Sequence, residues 1–183
     1  MDSESFDRTH AGTHAGRIYI DKTGTLVVEA KVVEDSIHFD GDIKFIRPCK
    51  VRGFVKSGGT LRCVSLTSDS FIVAEKIVAS RHIAARSYIR ANLIEAEGYI
   101  RSDLVSGQRV EAGWFIEADK IMANNVYARK AIIAKEIEAE NLISETSSIK
   151  AEKIRCRKIK AVKLEAVEVI AEDVQAQKIK IQK

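Results

Sequence analysis

Proline is nearly missing from this chain: Pro48 stands alone among 183 residues. An ordinary loop-rich domain carries several times more, at roughly 5% of residues, so long loops are not expected. Aromatics are scarce too, with six Phe, four Tyr and one Trp. The apolar share of 45% is dominated by Ile, Val and Ala, which points to a narrow core of β-branched and small side chains. Cysteine is limited to Cys49, Cys63 and Cys156, an odd number without metal-type spacing. That usage fits reduced core residues in a cytoplasmic protein. No apolar run approaches the ~18 residues of a membrane span, and no basic-then-apolar signal pattern opens the chain. The formal charge of +4, from 30 basic and 26 acidic residues, is too mild to imply nucleic acid by itself.

The signatures of solenoid enzymes and of nucleotide binding are also missing. Only four His occur, and His10 and His14 lie in a polar tail. His38 and His82 cannot supply the three His of a solenoid carbonic anhydrase zinc site. A solenoid acyltransferase would show a strict six-residue step and a projecting loop around its His, and neither is seen. Pectin-cleaving solenoids cluster Asp, whereas here Glu is spread among Lys. Lys56-Ser57-Gly58-Gly59-Thr60 has the wrong spacing for a phosphate loop and reads as a turn. No catalytic residue, cofactor, metal or small-molecule substrate is expected.

What is present is a repeat. From Ile72 the chain runs in units of the form Ile-x-Ala, led by Ile72, Ile77, Ile83, Ile89 and Ile94 and continuing to Ile179. Each lead is Ile, Val or Leu, and the third residue is Ala almost throughout, with Ser102, Gly107 and Cys156 as small substitutes. The spacing is five or six. Upstream, Ile37, Ile43, Cys49, Val55 and Leu61 keep a six-residue beat with a looser third position. Between Ile18 and Val33 the strands RIYI and TLVVEAKVV flank a turn at Lys22–Thr25.

This period is not helical. A coiled coil needs an apolar residue about every 3.5 positions. Steps of five rotate a helix by about 140° net, so no apolar stripe would form. A strand accommodates the pattern: the first and third residues of each unit share the inner face and the middle residue faces out. Three units, about 16 residues, close a triangular coil. The expected fold is therefore all-β, a single-stranded β-solenoid over residues 18–181, about ten coils and about 50 Å long. Residues 18–36 are less regular and could hold a cap. Residues 1–17 read as a disordered polar tail, and 182–183 follow the last unit. Stepping one coil at a time gives the columns His82, Tyr99, Phe115 and Phe71, Tyr88, Leu104, which are packing ladders before they are binding platforms.

Two surface features suggest function. Lys150, Lys153, Arg155, Arg157, Lys158, Lys160 and Lys163 form a basic run with Glu152 as the one acid within it. On a solenoid they would make a basic face or collar with affinity for an anionic membrane, a protein partner or, as the weaker case, nucleic acid. The simpler reading is a solvated surface that discourages wrong stacking. The second feature is the pair of ends. Apolar leads continue to Ile179 and Ile181 without an amphipathic capping segment, and an open coil invites another chain. Ile37 and Phe39 at one end, with Ile179 and Ile181 at the other, are the candidate self-association residues.

A short polar tail, a rod without insertions, apolar ends and phrases such as Gly41-Asp42-Ile43 and Ile89-Arg90-Ala91 together resemble the bactofilins, polymer-forming bacterial cytoskeletal proteins. The resemblance implies a right-handed triangular β-helix, nucleotide-independent end-to-end polymerisation, and a cytoplasmic scaffold that can associate peripherally with membrane. The leading expectation is a non-enzymatic scaffold whose main partner is itself. The alternatives are a monomeric or trimeric binding rod or fibre adaptor using residues 150–163, and a divergent solenoid acyltransferase.

Overall fold

The computed structural model describes residues 16–181. They form eighteen strands, β1 to β18 in chain order, with no helix. The strands stack in parallel coils of about 16 residues, giving a β-solenoid of about ten turns. The expected β-solenoid is therefore the fold.

Three faces repeat along the rod. The first face begins with β2 (Leu26–Val28) and ends in the first half of β18 (Asp173–Ile181). The second runs from β3 (Val32–Val33) to the second half of β18, and the third from β4 (Ile37–Phe39) to β17 (Glu168–Ile170). Like stacks on like: Ile100 pairs with Ile116 and Ile116 with Ile132, while Ser102 pairs with Ala118 and Ala118 with Ala134. The leads fill the axis. Ile77, Ile83, Ile89, Ile94, Ile100 and Ile116 are fully buried. Burial of each such side chain stabilises the fold by about 1.5–3 kcal/mol relative to leaving it in water.

Coil length drifts downward along the chain but not steadily, since Leu61 to Ile77 is sixteen residues and Ile132 to Ile149 seventeen. Ile43 is in register with Leu61, eighteen residues on, and Ile77 with Ile94, seventeen on. Ile100 and Ile116 are sixteen apart, and Leu164 and Ile179 fifteen. The third position follows this contraction. In the long early coils it holds Val28, Phe45, Val51 and Cys63, all buried. From Ala74 onward it is mostly Ala. A wider triangle leaves more volume near its corners, and close packing requires that the volume be filled.

Four buried exceptions are serines. Ser57, Ser68 and Ser102 donate their hydroxyls to the carbonyls of Gly41, Gly53 and Ser87 at 2.7, 2.7 and 3.1 Å, and Ser144 donates to Lys130 O. In each case the acceptor lies at a corner of the preceding coil. A small hydroxyl thus replaces a methyl and satisfies a corner carbonyl at once.

The first strand departs from the stack. β1 (Ile18–Ile20) runs antiparallel to β2, joined by the turn at Gly24, whose φ of 79° suits glycine. Asp21 holds that turn by accepting from the N–H groups of Thr23 and Thr25 at 2.8 and 3.1 Å. Within the irregular region expected at 18–36, residues 18–28 form a hairpin whose second strand already belongs to the first coil, and Val32–Val33 opens the second face. Most of the expected tail, and residues 182–183, lie outside the described residues.

Candidate functional site

The two aromatic columns exist and run along adjacent corners. His82 stacks on Tyr99 at 4.1 Å between ring centres, and Tyr99 on Phe115 at 5.2 Å. Phe54, Phe71 and Tyr88 stack at 4.8 Å with ring planes 4° apart. Phe54 extends the second column below the residues expected from sequence. In both columns the facing sides of neighbouring rings cover one another. All six rings are half-buried, so these ladders pack coil on coil.

His82 is held in place. Its Nδ1 accepts from the Tyr99 N–H at 3.3 Å, and the absence of a side chain at Gly98 makes room, since a Cβ there would meet Nδ1 at 2.2 Å. Trp114 is exposed, leaning on His82 at 5.7 Å with the Lys130 ammonium 5.4 Å from its ring centre. Among the described residues no group of three or more His, Cys, Asp or Glu is placed to hold a metal. Two shallow grooves follow the small-residue columns, with volumes of about 470 and 440 Å³. The first has Ser102, Ala118 and Ala134 in its floor and Arg101, Asp103, Glu117 and Lys135 on its walls. Two ion pairs lie along it: Arg101 meets Glu117 at 2.8 Å and Lys135 meets Asp119 at 2.9 Å.

The second corner changes character along its length. Past Leu104 the Phe54–Phe71–Tyr88 column continues as Lys120, Glu136, Lys153 and Glu168, each in register with the next. Lys120 meets Glu136 at 3.0 Å and Lys153 meets Glu168 at 3.5 Å. The hydrogen bond from Lys120 holds the Glu136 carboxyl below the ordinary range, with Lys153 and Arg155 adding to it.

That ladder explains the basic run. Its seven members encircle the rod instead of sharing one side. Lys150 lies on the second face, Arg155 on the third and Lys160 on the first, with Lys153, Arg157, Lys158 and Lys163 at corners. Neighbouring coils supply acids that the linear sequence separates by up to fifteen residues. Lys153 meets Glu168 and Arg157 meets Glu172 at 3.8 Å across coils, while Lys163 meets Glu165 within its own coil. The run is a collar interleaved with carboxylates. For Lys150, Arg155, Lys158 and Lys160 no ion pair is formed among the described residues.

The ends differ from each other. At the N-terminal rim Ile37 is buried and Phe39 half-buried, while β1 lies across the edge of β2. At the C-terminal rim of the described rod the inward side chains lose their cover. Val174, Ile179 and Ile181 are 36, 52 and 50% exposed, and the outward Ile170 is 54% exposed. One edge of β17 and of β18 has no strand beside it among the described residues.

The thiols are quiet. Burial pushes Cys63 up to about 12 and Cys49 and Cys156 up to about 11.

No family of known proteins, no curated protein and no solved structure matches this chain.

Proposed function

We propose that the protein is a non-enzymatic scaffold rod that associates end to end with copies of itself, without nucleotide, in the cytoplasm. The observation behind this reading is the C-terminal rim. Three inward apolar side chains there are a third to a half exposed, beside strand edges that no other described strand pairs. Such an edge is a template for another β-chain. Adding one further coil would bury these side chains and complete the backbone ladder in one step. The resemblance of the repeat to the bactofilins favours the same reading. The purified 183-residue chain should form rods longer than one molecule by negative-stain electron microscopy in nucleotide-free buffer. Single rods at every salt and protein concentration would refute it.

A further inference from the structure

We infer that the acidic segment at residues 2–7, Asp-Ser-Glu-Ser-Phe-Asp, docks onto the rod of its own chain. Its seat is the corner between the first and second faces, with the Phe6 ring against Trp114. That corner is the basic edge of the rod. Arg47, Arg81, Arg129 and Lys130 are exposed on it, and none of them forms an ion pair among the described residues. At the other two corners most cations already meet a carboxylate, as Lys120, Lys135, Lys153 and Arg157 do. The acids of the basic edge do not neutralise it. Glu29 and Glu145 accept the hydroxyls of Tyr19 and Tyr127, which leaves Glu97 between the cations.

Trp114 gives the edge an apolar centre. Half of it is exposed, and it is the one tryptophan of the chain. Gly98 lies directly beneath it, since the Trp114 N–H donates to the Gly98 carbonyl at 2.9 Å. With no side chain there, the indole leans past Gly98 onto His82, and the Lys130 ammonium sits beside the ring. A large ring among cations without ion pairs fits an acidic segment that carries an aromatic side chain. Asp2, Glu4, Phe6 and Asp7 supply that composition.

The same segment leads into the rod at this corner. Gly16 packs on Ala30, where a Cβ would meet the Ala30 Cα at 2.4 Å, and the Arg17 carbonyl accepts from the Glu29 N–H at 2.8 Å. From there β1 runs back across the first face. Trp114 stands five coils beyond Ala30, about 24 Å at about 4.8 Å per coil. The ten residues from Phe6 to Gly16 span about 33 Å when extended, so Phe6 reaches Trp114 with slack. An extended run then sets Glu4 toward Arg129 and Lys130, and Asp7 toward Arg81. Exposed ion pairs contribute little each and are screened by salt, so the ring contact fixes the position and the charges favour approach.

Trp114 reports on its own cover. Acrylamide quenching of its fluorescence would be measured in the full 183-residue protein at low salt. Phe6→Ala and, separately, Asp2→Asn/Glu4→Gln/Asp7→Asn should each raise quenching by about twofold, because one side of the ring opens to solvent. High salt should raise the native value and leave the neutralised variant unchanged. These positions lie outside the rod, so its circular dichroism should stay the same. Arg81→Glu/Arg129→Glu should expose Trp114 in the same way, and Asp2→Lys/Glu4→Lys/Asp7→Lys in that chain should restore its protection. Equal quenching of the native protein and Phe6→Ala would overturn the docking, and so would a failure of the reversed charges to rescue. Protection that is lost on dilution would place the segment of a second copy on this edge and overturn docking within one chain.

Discussion

The early coils and the late coils solve the same problem with different materials. Up to about Cys63 the turns are seventeen or eighteen residues long, with Phe45, Val51 and Cys63 filling their corners. From Ile100 on they are fifteen to seventeen residues long, with Ala at most of the same positions. The corner that stacks Phe54, Phe71 and Tyr88 in the first half stacks Lys120, Glu136, Lys153 and Glu168 in the second. Corner volume falls from the early half to the late half, and register can be held by rings or by alternating charge. The two devices differ in strength. Rings bury area and resist salt, whereas exposed ion pairs contribute little and are screened.

Exchanging the corner residues should break this comparison most sharply. Phe45→Ala should destabilise by about 3–5 kcal/mol, since a fully buried ring leaves a cavity in a coil too wide to collapse. Ala118→Phe should also destabilise, by about 3 kcal/mol or more, through overpacking of a narrow coil. Urea unfolding would measure the losses, and hydrogen exchange would place them on opposite halves. Equal tolerance of both changes would show that coil length and corner size are independent.

The ladders come next. Phe71→Ala removes two stacked contacts and should cost about 2–3 kcal/mol with little dependence on salt. A third effect is confined to the early half. The Cys63 and Cys49 thiols titrate at about 12 and 11, above the 9.0 of a free thiol. Their raised values contribute stability that is whole below 9.0 and is lost as pH rises through them. The melting temperature should fall more steeply in that range for the native chain than for Cys49→Ala/Cys63→Ala. Identical slopes would show that the thiols do not contribute.

The smallest effect belongs to the charge ladder. Glu136→Lys should lower the melting temperature slightly at low ionic strength and not at high. Glu136 has a depressed folded value, so its contribution is present above the ordinary carboxylate range and disappears as pH falls through the folded one. A large, salt-independent loss would mean that this column bears more of the packing than its exposure suggests.

Much of this was legible in the sequence. The five- and six-residue beat set the faces, and counting one coil forward placed Tyr99 over His82 and Tyr88 over Phe71. Phe54 satisfied the same rule, one coil before Phe71, and only the starting point of the count hid it. The balance of the basic run was not legible along the chain. Lys153, Arg157 and their acids are neighbours only once the coil length at that point is fixed at fifteen. The hairpin turn before Leu26 was readable, but the fold-back of β1 across the rim was not, because Ile-Tyr-Ile carries the same alternation as any unit of the rod.

The rims hold the functional account. Its most direct measurement is the length of the particle formed by the unmodified 183-residue chain, followed by small-angle scattering across a dilution series. One rod of ten coils is about 50 Å long. The account expects a concentration-dependent shift to particles longer than one rod. A single-rod profile at every concentration would contradict it.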